Sequence, residues 1–215
     1  MKTFKRTLLL LALLVTVILI YNYPKLNILA GYSAKNTATS VFLGGRSLAF
    51  TDKTDNNFSP VNLATDTINK ATRSATASVF GLLTRKAIIR DGLGSVLTLS
   101  EADENSPYLT PKRTISKNKT MPYPSGDAPQ KDTIFTNVDY KKLNKAVSSI
   151  FGERKSRAVV VLYKDQIIAE KYSEGFHKDS KILGWSMTKS ILSTVFGVLE
   201  HQQKIKTQDK APIAS

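Results

Sequence analysis

The stretch Gly184-Trp185-Ser186-Met187-Thr188-Lys189-Ser190 stands where a loop meets an apolar run, and residues 184–200 read "GWSMTKSILSTVFGVLE". Ile191, Leu192, Val195, Val198 and Leu199 spread apolar side chains around most of a helical circumference, which predicts a helix from Ser186 to Glu200 buried inside its domain. Ser186 and Lys189 then fall at i and i+3, neighbours on one face of the first turn.

That placement suits nucleophilic chemistry. A serine at a helix amino terminus faces partial positive charge and unpaired backbone N–H groups, which favour a developing alkoxide. A lysine buried in the same turn is desolvated and meets the same positive end, and both effects disfavour its ammonium form. A neutral lysine can take the serine's proton. Met187 and Thr188 would fill the wall of the site, and Trp185, the only tryptophan, reads as a packing residue beside the nucleophile or a platform for substrate. Serine and lysine at this spacing also occur by chance, and then Ser186 is a helix cap and Lys189 a solvated side chain.

Upstream, "TNVDYKKLNKAVSSIFG" (136–152) puts Leu143, Ala146, Val147 and Ile150 at helical spacing, with Asn137 or Thr136 as cap and Gly152 as stop. Its face Tyr140, Lys141, Lys142 and Lys145 reads as solvated. Next, "RAVVVLYKDQIIAEKYSEG" (157–175) predicts a hairpin with strands Ala158 to Tyr163 and Ile167 to Tyr172 joined by Lys164-Asp165-Gln166. A second hairpin is signalled by Ala87 to Ile89 and Ser95 to Leu99 around Asp91-Gly92-Leu93-Gly94. Between the hairpins, Glu101 to Asp132 carries Pro107, Pro111, Pro122, Pro124 and Pro129 and no apolar period, so it reads as a wrapping loop. Residues 30–50 read as irregular structure crossing a surface. Asp52 to Ser78 reads as polar chain with one weak amphipathic helix through Asn62, Leu63, Asp66, Ile68 and Ala71.

The amino terminus addresses location. Lys2, Lys5 and Arg6 precede an apolar run from Thr7 to Ile20 that Tyr21 and Tyr23 close, the pattern of a single-pass signal anchor spanning residues 7–23. Basic residues on the amino side place that end in the cytoplasm and the chain after Pro24 outside it. The expected location is the inner membrane, with the bulk of the chain on the periplasmic side. A cleaved signal is the alternative, with a poor site at "NILA" before Gly31.

Net charge is +14, with 31 Lys+Arg against 17 Asp+Glu, and only three of these charges precede residue 24, leaving +11 on the rest. Such a surface favours anionic partners, including anionic envelope polymers. The charges are dispersed and lack interleaved aromatics, which argues against nucleic acid. Without cysteine, disulfides and thiolate chemistry are excluded. His177 and His201 have no companion ligands at metal-binding spacing, so neither a metal nor a cofactor is expected.

From about Asp139 onward the chain resembles the amino-terminal part of the serine β-lactamase and penicillin-binding-protein superfamily. Within it, the likeness is to the class C β-lactamase-related serine hydrolases, which include esterases, D-aminopeptidases and 6-aminohexanoate-oligomer hydrolases. The residues that carry the resemblance are "AVVVLYKDQIIAEKYSEGF" (158–176) and "GWSMTKSILSTVFGVLEHQQKIKTQDKAPI" (184–213). "AGYSAKNTATSVFLGGRS" (30–47) and "IIRDGLGSVLTL" (88–99) are similar to a membrane-anchored subset. That subset often carries cysteines in these two places, where Thr37 to Ser40 and Ser95 stand here.

The resemblance implies an α/β (α+β) fold of the β-lactamase/transpeptidase type, an antiparallel sheet packed against helices and preceded by the membrane-spanning helix. It implies Ser186 as the acylated nucleophile, Lys189 as its base, and a small amide or ester as substrate. The family also uses a Tyr-x-Asn motif and a Lys-Thr-Gly or His-x-Gly strand, and neither occurs between Ser186 and Ser215. Tyr163 and Tyr172 lie on predicted strands and take neither role.

The expected organisation is an anchor over 1–23, a wrapping region over 24–135 and an incomplete hydrolase domain over 136–215, with the strand Val159 to Leu162 left with an open edge. Catalytic groups act as a unit, so the expectation is an exported, tethered serine hydrolase that is truncated and inactive as this chain alone. The alternative is a non-catalytic, basic envelope protein, either a pseudoenzyme or a truncated gene product.

Overall fold

The apolar run beginning at Thr7 folds as helix α1, Lys2–Asn22, in a computed structural model that describes residues 2–112, 119–123, 125–130, 133–151 and 156–210. Its apolar side chains are exposed from Phe4 to Ile20. A tight turn, Tyr23–Lys25, takes Pro24 where no backbone donor is required and leads into α2, Leu26–Ala38. A wider π turn, Thr39–Leu43, completes a continuous helix from Phe4 to Leu43. Its 40 residues span about 60 Å at about 1.5 Å per residue. The helix is long and apolar enough to cross a membrane.

The protein is mixed α and β, with antiparallel sheets and a long apolar amino-terminal helix. After α2 come α3 (Leu48–Thr54), β1 (Ala64–Asn69), β2 (Ser74–Val79), β3 (Leu82–Arg90), β4 (Gly94–Thr98) and α4 (Glu101–Asn105). The four strands form a meander in the order β1-β2-β3-β4, all neighbours antiparallel. Phe80 and Gly81 both have positive φ, +56° and +70°, and make the two-residue turn between Val79 and Leu82.

Helix α2 packs across all four strands. The packing corrects two expectations. Residues 30–50 are a buried helix and α3, not an irregular surface segment, and the weak helix through Asn62 and Ala71 is instead β1 leading into β2. The face of α2 is Ala30, Gly31, Ser33, Ala34, Thr37 and Ala38, and it meets Ala75, Ala77 and Ala87. Small residues give no hydrophobic period, yet they let helix and sheet approach closely. A Cβ at Gly31 would lie 3.1 Å from Leu97 Cδ2.

Side-chain hydrogen bonds complete that interface. Asn56 Nδ2 lies within 3.2 Å of Ser33 Oγ, Thr37 Oγ1 and Asp66 Oδ2, while its Oδ1 accepts from Asn36 Nδ2 at 2.6 Å. Ser33 Oγ donates to Asp66 Oδ2 at 2.6 Å. Ser95 Oγ donates to the Lys35 carbonyl at 3.2 Å, so the two segments carrying Ser, Thr and Ala in place of cysteine are adjacent in space.

The Glu101–Asp132 stretch, expected as loop throughout, opens with α4 under a capping box of Ser100 and Asp103. Pro124 and residues 113–118 and 131–132 of that stretch lie outside the described residues. Helix α5 is Tyr140–Ser149. Asp139, rather than Asn137 or Thr136, caps it by accepting from Lys142 N at 3.0 Å, since Asp139 directly precedes the first helical residue, while Asn137 Nδ2 donates to Tyr163 Oη at 2.8 Å. The predicted stop at Gly152 lies outside the described residues.

Strands β5 (Ala158–Tyr163) and β6 (Gln166–Tyr172) form a separate two-stranded sheet. Lys164 and Asp165, both at positive φ, make its turn, and Gln166 joins the strand rather than the turn. Helix α5 packs on β6 through buried Val147. Each strand pairs only with the other among the described residues, which leaves the expected open edge on β5. The chain divides into two units, residues 1–180 and residues 181–215.

Candidate active site

The second unit is built on a tight turn, Trp185–Met187, that runs into α6, Thr188–His201. Ser186 therefore sits in the turn just ahead of the helix and Lys189 in its first turn. The local winding brings the two side chains together: Lys189 Nζ lies 3.0 Å from Ser186 Oγ and donates to it. Thr188 Oγ1 donates to the Trp185 carbonyl at 2.7 Å, and Met187 N to the Gly184 carbonyl at 2.8 Å. Together these bonds tie the turn on both sides of the serine.

Trp185 holds φ at +44°, the left-handed region that a bulky residue rarely adopts. Strained backbone of this kind costs about 1–3 kcal/mol and clusters at functional sites. Here it sets the direction of the chain one residue before Ser186.

One expectation is corrected. Helix α6 is not buried among the described residues: Ile191 is 66% exposed, and Leu192, Val195, Phe196 and Val198 are about half exposed. The physical reason is that the described residues of the second unit contain no other long element to lie against an all-round apolar helix. Ser186, Lys189 and Trp185 are exposed with it, so the desolvation argued from sequence is not supplied by the described residues.

The loop after α6 folds back on the helix. Glu200 Oε1 accepts from Thr207 N at 3.0 Å and Thr207 Oγ1 at 2.8 Å. These two bonds to the ionised form, the backbone one first, hold the Glu200 carboxyl below its usual range. Ala211 to Ile213, the end of the "KIKTQDKAPI" segment, lie outside the described residues.

Both upstream tyrosines are hydrogen bonded within the first unit. Tyr172 Oη is hydrogen bonded to Glu170, chiefly through which its phenol is pushed up to about 12, and Tyr163 Oη takes a hydrogen bond from Asn137. His177 Nδ1 accepts from Asp179 N at 3.3 Å, within its own loop. Among the described residues no group of three potential ligands gathers around a metal position.

Sequence reading missed a second polar centre, around Asp66 and Asp55. Asp66 Oδ2 collects donors while Oδ1 is buried without one, and desolvation raises the carboxyl above its usual range against the opposing pull of Ser33, Thr37 and Asn56. The only signal was composition, a run of Ser, Thr, Asn and Asp that also describes a loop.

The chain matches no protein-family model, no curated protein and no solved structure.

Proposed function

We propose that the chain carries the acylating half of an exported, membrane-tethered serine hydrolase of the β-lactamase-related type, acting on amide or ester bonds. The observation that carries the reading is the 3.0 Å approach of Lys189 Nζ to Ser186 Oγ in the turn that opens α6. In the proposed reaction, Lys189 Nζ in its unprotonated form accepts the Ser186 hydroxyl proton as Oγ attacks the substrate carbonyl carbon. The tetrahedral intermediate collapses with cleavage of the carbonyl–nitrogen or carbonyl–oxygen bond. The leaving group takes the proton back from Lys189, and the acyl group stays on Ser186. Water then hydrolyses the ester and returns Ser186.

The long apolar helix α1 supports membrane attachment, and Lys2, Lys5 and Arg6 ahead of it support an extracytoplasmic position for the rest. A β-lactamase-type fold accords with an antiparallel hairpin and an apolar helix that follows the serine, the order the resemblance requires.

A second reading, a non-catalytic basic envelope protein, is favoured by one observation: both members of the pair are exposed to water. The test is reaction of the full chain in detergent with a fluorescent penicillin and with a fluorophosphonate, followed by peptide mapping. The expected result is a slow covalent label on Ser186, abolished in Ser186→Ala and slowed about a hundredfold in Lys189→Met. Absence of label on Ser186 with both reagents overturns the hydrolase reading and leaves the second.

A further inference from the structure

We infer that the β2–β3 hairpin tip, with Leu63 beside it, is a second membrane contact that dips into the headgroup region of the bilayer crossed by α1. The inference rests on the membrane-spanning reading of α1. Gly31 of α2 lies against Leu97, and the Lys35 carbonyl accepts from Ser95 Oγ. Four helix residues rise about 6 Å, and two strand residues span about 7 Å. The matched spacing means that α2 and β4 run nearly aligned and in opposite directions. Strand β3 is antiparallel to β4, so it starts at the α1 end of α2.

The same spacing gives the depth. A Cβ at Gly31 would lie 3.9 Å from Arg85 Cγ. From Arg85 back to Leu82 is about 10 Å of strand, equal to six or seven residues of helix at about 1.5 Å each. Leu82 is therefore level with about Lys25, and Phe80-Gly81 reaches the level of Tyr23. That level is where Tyr21, Tyr23 and Lys25 close the apolar run, with Lys25 Nζ 4.1 Å above the Tyr21 ring.

The side chains at this end suit lipid. Phe80 is 69% exposed, Leu82 45% and Leu63 46%, and the pairings Ala64 with Val79 and Val79 with Leu82 bring them together. Ile28, 70% exposed, lies on α2 just above Lys25. Residues 58–65 and 78–85 contain no carboxylate and one charge, Arg85. The opposite end of the sheet carries Lys70, Arg73, Arg90 and Asp91 in and beside its turns. Phe80 also holds a positive φ in a turn position where Asn, Asp or Gly is favoured, so an aromatic is kept at the tip against its backbone preference.

The chain has no cysteine, so single labels are clean. Full chains carrying Phe80→Cys, Leu82→Cys, Lys70→Cys or Leu11→Cys are labelled with an environment-sensitive fluorophore and reconstituted into phosphatidylethanolamine–phosphatidylglycerol vesicles. The expected result is blue-shifted emission at 80 and 82 with quenching by headgroup-level nitroxide lipid and loss of quenching by aqueous iodide. Position 70 stays open to iodide and position 11 is quenched by lipid. If 80 and 82 are quenched by iodide as position 70 is, while 11 is in lipid, the hairpin contact is overturned and the span stands. If 11 is also in water, the span falls and the hairpin contact with it.

Discussion

The Arg157 guanidinium, at the start of β5, donates to Asp55 Oδ1 just past α3, across 102 residues of chain. Asp55 is 5% exposed at its side chain, accepts from Ser40 Oγ at 2.7 Å and has Arg46 NH1 3.8 Å from Oδ2. Arg157 also lies over the rings of Phe50 and Phe176. One buried carboxylate thus ties the β5–β6 hairpin to the end of α3, beside the layer that α2 forms with the four-stranded sheet. Asp55→Ala removes the buried carboxylate that Arg157 and Arg46 share and is expected to cost about 3–5 kcal/mol. Chemical denaturation of the detergent-solubilised chain measures the cost, and hydrogen exchange should show the 158–172 hairpin opening first.

The close approach at Gly31 gives a packing prediction. Gly31→Ala requires Leu97 to give by a few tenths of an ångström, whereas Gly31→Val forces α2 off the sheet. The valine variant is expected to lose about 1–3 kcal/mol of stability, with the alanine variant far nearer to the parent in the same denaturation experiment.

Asp66 makes stability fall as pH rises through the acid range. Its folded carboxyl is raised by desolvation, so the contribution is fully present below the unfolded value and is lost as pH climbs through the folded one. Asp66→Asn removes the charge and should flatten this part of the stability profile, with stability at neutral pH equal to or above that of the parent. A profile that keeps its slope in Asp66→Asn would refute the assignment.

Glu200 acts in the opposite sense. Its folded carboxyl is lowered by the Thr207 backbone and side-chain bonds, so the ordering of residues 202–209 is present above the unfolded value and is lost as pH falls through the folded one. Glu200→Gln weakens the acceptor, and amide exchange at Thr207 should become fast and lose its acid dependence.

Trp185→Gly relieves the left-handed backbone before Ser186. If the strain sets the aim of the serine, labelling of Ser186 slows while the helix content of residues 188–201 is unchanged, as read by mass spectrometry and circular dichroism together.

Legibility followed the kind of signal each segment carries. The β3–β4 and β5–β6 hairpins and α5 were readable because apolar period and turn residues are properties of a few consecutive positions. Asp91-Gly92 and Lys164-Asp165 mark their turns in the chain itself. Helix α2 and strands β1 and β2 were not readable, because Ala30, Ala34 and Ala38 against Ala75, Ala77 and Ala87 have no contrast of hydrophobicity to follow. Their burial depends on matching two small faces and on satisfying Ser33, Asn56 and Asp66 across them. The Phe80 tip was equally silent, since its level relative to Lys25 exists only once helix and strand are packed.

By itself the sequence determined the membrane-length helix, the two hairpin turns and the spacing that sets Lys189 beside Ser186, because each follows from hydropathy or from helical winding within a few residues. Only the tertiary structure decided that residues 26–43 pack against the four-stranded sheet and that α6 stands exposed among the described residues. Both depend on what lies opposite each helix, and that is a property of pairs of surfaces distant along the chain.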